Sequence, residues 1–126
     1  MKVLLSIKPE FVAKILDGSK TYEFRKNSFK REGIKTVVIY STMPVGRVVA
    51  EFDIEYIISE HPRELWIRTE KSAGISKKFF DEYYNGRDKA TAIKVGSIIK
   101  YERPLKLSEL GEGITAPQSY RYLAAS

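Results

Sequence analysis

The spacing of hydrophobic and polar positions changes several times along this chain, and each change marks an element. Residues 2 to 7 read as a short strand. Pro9 follows at a position suited to the first turn of a helix whose apolar stripe is Val12, Ile15 and Leu16. Asp17-Gly18 supplies its stop, because glycine is free to take the left-handed conformation that a helix C-terminus commonly needs. From Lys20 to Lys26 the period is two, with Tyr22 and Phe24 on one face and Thr21, Glu23 and Arg25 on the other. A basic loop, Asn27 to Lys35, leads into the β-branched run Thr36 to Tyr40, which predicts a buried strand. After a loop at Ser41 to Gly46 comes the longest alternating segment, Arg47 to Ile58. It directs Val48, Ala50, Phe52, Ile54 and Tyr56 to the core, and Glu51, Asp53 and Glu55 to solvent.

The period then becomes helical over Pro62 to Lys71 and Ser76 to Tyr84, a pair expected to lie across an open end of the sheet. In the first of these Trp66 is expected to pack into the core, and His61 to start the helix. Strands resume at Lys89 to Val95 and at Ser97 to Tyr101, and Pro104 is expected to end the sheet. The tail closes with a short predicted helix, in which Thr115 and Gln118 match a capping box. Five or six strands with a helix after the first and a helical pair before the last give an α+β fold. Its expected form is a small, mostly antiparallel β-barrel with peripheral helices, one domain over residues 1–126.

Composition narrows the chemistry. There is no cysteine, which excludes disulfides and thiolate metal sites, and the one histidine, His61, leaves little to hold a transition metal. No metal and no other cofactor is expected. The N-terminal residues lack the apolar length of a signal peptide and no run could span a bilayer, so a soluble cytoplasmic protein without a membrane partner is expected. Lys and Arg number 22 against 16 Asp and Glu, a net charge of +6, which favours a polyanionic partner. Protein partners are not legible in these residues.

The most informative stretch is Gly18-Ser19-Lys20-Thr21-Tyr22-Glu23-Phe24-Arg25-Lys26, where an acid and a base share one strand face. That face is either a binding surface or a solvated edge, where Glu23 and Arg25 would simply pair with cross-strand neighbours. With Ser6-Ile7-Lys8-Pro9 before it, this stretch resembles the opening signature of the ASCH domains, a branch of the PUA-like barrels associated with RNA. Ile39-Tyr40-Ser41-Thr42-Met43-Pro44 with Val48-Val49-Ala50-Glu51 is similar to the family's second block. Ala92-Ile93-Lys94 and Ala116 to Leu123 look like its third and fourth.

The resemblance implies a PUA-like barrel with a cleft bordered by the first helix, the Glu-x-Arg strand and the loop after Tyr40, binding RNA or a nucleotide-like ligand. It assigns that cleft Lys8, Lys20, Glu23, Arg25, Lys26, Tyr40, Ser41 and Gln118. Basic side chains would hold phosphates, and Tyr22, Tyr40 or Tyr120 would offer a stacking face. Some relatives are amidohydrolases acting on acetylated cytidine, with a Lys, a Thr three residues later and a distant Glu. Carried over, the Lys is Lys20, the distant Glu is Glu70, and the Thr position is occupied by Glu23, so a hydroxyl nucleophile is missing there. Lys20, Glu23 and Glu70 would then be the catalytic set of a small hydrolase. It would act on a modified nucleoside or, as proposed for other relatives, on RNA itself.

Overall fold

The computed structural model describes residues 1–124. Among these residues six strands form one sheet: β1 (Lys2–Ile7), β2 (Tyr22–Arg25), β3 (Thr36–Ser41), β4 (Arg47–Glu60), β5 (Ala90–Leu105) and β6 (Tyr120–Leu123). Their spatial order is β2-β5-β4-β3-β1-β6, and only β1 and β3 run parallel. Three α-helices, α1 (Pro9–Asp17), α2 (Pro62–Thr69) and α3 (Lys77–Tyr83), flank this curled sheet. The expected α+β, barrel-like architecture is the observed one.

The continuous apolar runs of β1 and β3 follow from burial on both faces, where no position is left for a polar side chain. Val3, Leu5, Val37 and Ile39 pack with Val12 and Ile15 of α1. Leu4 and Val38 face the other way, against Leu105, Leu107 and Ile114. A third cluster joins Tyr22, Phe24, Ala90 and Ala92 to Leu65 of α2 and to Phe80 and Tyr84. The small alanines let those rings approach the β2–β5 end of the sheet, where the Trp66 ring lies tilted against Phe80 with centres 5.0 Å apart. His61 caps α2, its Nδ1 accepting from the Arg63 amide at 3.1 Å.

Four expectations are corrected. The two strands predicted after Lys89 are one, because Gly96 lets β5 pass close to β4: a Cβ there would lie 2.8 Å from the Asp53 carbonyl oxygen. Tyr56 is 42% exposed rather than core, since the register shift on β5 between Ile54 and Tyr56 gives β4 one extra residue and inverts its alternation. Glu51 is drawn partly inside, accepting from the Tyr101 hydroxyl at 2.8 Å and pairing with Lys2 at 3.2 Å. The C-terminal helix is absent: Tyr120–Leu123 is strand β6, antiparallel to β1, and Thr115 and Gln118 lie in irregular chain with no helix to cap. The alternation of Tyr120 and Tyr122 decides this, placing both rings on one face, where Tyr120 meets Phe29 edge-on at 5.1 Å. Among the described residues no helix is long and apolar enough to cross a membrane.

Candidate functional site

The end of β1, the start of α1, strand β2 and helix α3 enclose one cavity of about 160 Å³. A cavity of about 150 Å³ holds one benzene ring, so this one takes a single ring or a group of similar size. Phe11, Phe24, Phe79 and Tyr83 give it aromatic walls, and Ser6, Lys8, Lys20, Glu23 and Arg25 supply the polar groups.

Lys20 is 2% exposed. It is held there by the strap Ser72-Ala73-Gly74, which the Thr21 amide reaches at 2.9 Å and the Thr21 hydroxyl at 2.6 Å, both on Ser72. The Lys20 ammonium donates to the Ala73 carbonyl at 2.7 Å. It also sits 4.8 Å from the ring centre of Phe24 and 5.4 Å from that of Phe11. Gly74 closes over the lysine stem with φ +70°.

Two aromatic faces and one carbonyl replace water poorly around an ammonium ion. Burial lowers the pKa of Lys20 to about 8, although Glu23 and its charge act the other way.

Glu23 is 7% exposed, and burial raises its carboxyl above the ordinary carboxylate range against the pull of Arg25 and Lys20. Arg25 Nε lies 3.6 Å from Glu23 Oε2, and Arg25 Nη2 donates to the Ser6 carbonyl at 3.2 Å. Arg25 Nε is buried without a hydrogen-bond partner among the described residues. Burial also raises the Tyr83 hydroxyl, which therefore keeps its proton. The cavity thus joins an acid and a base whose proton affinities are displaced toward each other, the pattern that acid–base catalysis uses.

A stability test follows from Lys20. The folded protein releases this proton near pH 8, while the unfolded chain holds it to its ordinary value of 10.5. Between those values the unfolded state binds more protons, so the buried charge destabilises below pH 8 and that cost is relieved as pH rises. The relief is on the order of 3 kcal/mol. Urea titrations from pH 7.5 to 9.5 are expected to show stability of the wild type rising relative to Lys20→Met; parallel curves would contradict it.

The structure brings together Lys8, Lys20, Glu23 and Arg25 of the residues singled out in the sequence. Lys8 is exposed at the mouth, 5.6 Å from the Phe79 ring centre. Lys26 lies just outside, its ammonium 5.1 Å from the Tyr83 ring centre. Tyr40 and Ser41 are buried at the end of β3 and do not line the cavity, Tyr40 packing with Leu4, Val38 and Val48. Glu70 is exposed and outside the lining, as is Gln118, although the neighbouring Pro117 carbonyl accepts from Ser6 Oγ at 2.8 Å. Tyr22 is buried against Phe24 and Tyr56, and Tyr120 lies on β6 with Tyr122, so neither borders the cavity. The basic loop also turns elsewhere: the amides of Lys30 and Arg31 donate to the Tyr122 hydroxyl at 3.1 and 3.0 Å.

Sequence reasoning missed Phe11, Phe79 and Tyr83 as walls, and the strap entirely. Phe79 and Tyr83 stand four apart on α3 while Phe80 faces the core, so the helix is apolar on two sides; that excess of aromatic residues is the signal that could have shown it.

The family model described as ASCH domain matches residues 5–102. The large ribosomal subunit protein uL22 of Ureaplasma parvum is 38% identical over 87 residues, 69% of this chain but 28% of that protein. The chain therefore spans just over a quarter of that relative's length. The ASCH domain-containing ribonuclease of Zymomonas mobilis is 29% identical over 128 residues, covering 97% of this chain and 84% of the relative. The crystal structure of ASCH from Zymomonas mobilis superposes with a TM-score of 0.88 at 30% identity, covering 98% of this chain and 87% of that one.

Proposed function

The chain belongs to the ASCH domain family, and on that premise we propose that it binds single-stranded RNA at the aromatic cavity and cleaves it with Lys20 and Glu23. One observation carries this reading: a buried lysine lowered to about 8 and a buried carboxyl raised by burial share a cavity with a guanidinium whose Nε–H makes no hydrogen bond among the described residues. The likeness to a protein named as a ribonuclease supports RNA as the substrate class.

The chemistry is transesterification. Glu23, as carboxylate, takes the proton of a ribose 2′-hydroxyl; the 2′-oxygen bonds to phosphorus and the bond to the 5′-oxygen breaks. The Lys20 ammonium gives its proton to that leaving oxygen, and Arg25 steadies the charge that gathers on the phosphoryl oxygens. Each partner must hold the right proton at once. The rate is therefore expected to be bell-shaped, rising through the raised Glu23 value and falling above about pH 8 as Lys20 deprotonates.

The test is to incubate the protein with end-labelled single-stranded RNA from pH 5 to 9 and to follow fragments and their termini. Fragments ending in cyclic phosphate are expected, with none from 2′-deoxy strands, which lack the nucleophile. RNA left intact at every pH with protein in excess would sink the proposal. A second reading rests on the single-ring volume and aromatic walls, which fit an unstacked pyrimidine base. In that reading the same pair hydrolyses an acyl group on the exocyclic amine, and turnover of acetylated cytidine would select it. Thr21 gives that reading no nucleophile, being engaged with Ser72 and outside the cavity lining.

A further inference from the structure

We infer that a second groove, between Lys26, Ser28, Arg87 and Lys89, is a phosphate subsite for the nucleotide flanking the one held in the cavity. The inference rests on the RNA reading of the cavity and states its consequence: the preferred ligand is an oligonucleotide, not a free nucleoside.

Among the described residues three cationic side chains line this groove and no carboxylate does; Ser28 adds a hydroxyl, while those of Ser59 and Thr91 hydrogen-bond each other at 3.0 Å. Its volume is about 260 Å³. Arg87 is fixed in place, its Nη2 donating to the Lys26 carbonyl at 2.8 Å and to Asn27 Oδ1 at 3.1 Å. Its Nε is buried and has no hydrogen-bond partner among the described residues. A guanidinium oriented in advance with donor capacity left over suits a phosphate, because little freedom remains to be lost on binding. The groove also adjoins the cavity along β2 and β5. Arg25 lines the cavity, and both its ladder partner Thr91 and its chain neighbour Lys26 line the groove; the Lys26 ammonium rests 5.1 Å from the ring centre of Tyr83, a wall of the cavity. Residues paired across a ladder lie about 5 Å apart at Cα, so Arg25 and Thr91 set the two openings side by side, as neighbouring nucleotides of one strand require.

The test uses two probes that cannot be cleaved through a 2′-hydroxyl: 2′-O-methyl cytidine 3′-monophosphate and its tetranucleotide. With wild-type protein the tetranucleotide is expected to bind at least tenfold more tightly than the monophosphate. Lys89→Glu is expected to lower tetranucleotide affinity tenfold or more, to make its salt dependence shallower, and to leave monophosphate affinity unchanged. Removing one phosphate neutralised by a cation changes the slope of log K against log salt by about 0.7 for a single strand. Lys100→Glu makes the same charge change outside both sites and is expected to leave the affinities as they are. Monophosphate binding with no gain for the tetranucleotide, or equal losses in Lys89→Glu and Lys100→Glu, would overturn the subsite alone. Wild-type protein that binds neither probe would overturn the cavity reading, and the subsite with it.

Discussion

Replacing Glu23 by Gln is expected to lower the rate of RNA cleavage by 10² to 10⁴-fold, roughly the range supplied by a positioned general base, while the protein folds as well as before. The amide has the size and shape of the carboxyl but cannot take the 2′-hydroxyl proton. Its effect on folding has the opposite sign to its effect on rate. Burial is the largest influence on Glu23 and acts against its charged form, so the neutral amide removes that cost at neutral pH and above. Binding moves the same way, because a negative charge facing the phosphate backbone is removed. Three measurements on one preparation check this: the melting temperature and the affinity for uncleavable RNA should hold or rise, and the cleavage rate should collapse. A variant that cleaves within threefold of wild type would reduce Glu23 to a partner of Arg25. A variant that cleaves poorly because it melts early would show that the carboxylate holds the fold.

Gly74→Ala is the substitution expected to cost the most stability, roughly 2–5 kcal/mol. Two penalties add at this position. The backbone has φ +70°, where a Cβ meets the chain's own carbonyl, and the added methyl would stand 2.5 Å from both Cβ and Cγ of Lys20. Those are stem atoms held by burial, so neither can swing aside as the tip of a long side chain would. The strap must lift, and as it lifts the Ala73 carbonyl leaves the Lys20 ammonium. Gly86→Ala separates the two penalties, since its φ is +77° with nothing within 4 Å of an added Cβ. It is expected to lose only the backbone part, about 1–2 kcal/mol. Equal losses in the two variants, read from urea denaturation, would mean that the strap yields freely and that packing against Lys20 matters little.

Much of this molecule can be read from local residue patterns. The β-branched run at Thr36 to Tyr40, the Pro9 start and Gly18 stop of α1, and the alternation of Tyr22 and Phe24 are signals carried by neighbours in sequence, and each element stands where its signal lies. The misreadings share a physical cause. Thr115 and Gln118 satisfy a local capping rule, but pairing of Tyr120 to Leu123 with β1 outweighs a single turn of helix. Tyr56 alternates correctly for a regular strand, and the register shift after Ile54 turns it outward.

The site divides in the same way. Lys20, Glu23 and Arg25 are legible because they fall within six residues, on β2 and just before it. That Glu23 is walled off from water is not, because the wall comes from Phe79 and Tyr83, more than fifty residues downstream. Tyr40, Ser41, Glu70 and Gln118 show the converse: family signatures give order along the chain, and whether a side chain lines a given cavity depends on the packing that follows.

The pairing of β1 with β6 has a bearing on how this unit can travel between proteins. Lys2 stands opposite Leu123 in that ladder, so the first and last strands of the sheet are neighbours, about 5 Å apart at the paired Cα atoms. A unit whose two ends lie that close can be spliced into a surface loop of a host, which need open only by the width of one strand pair. The cavity is built from β1, α1, β2 and α3, with β6 contributing no residue to its lining, so a host joined at these ends would leave the cavity walls as they are.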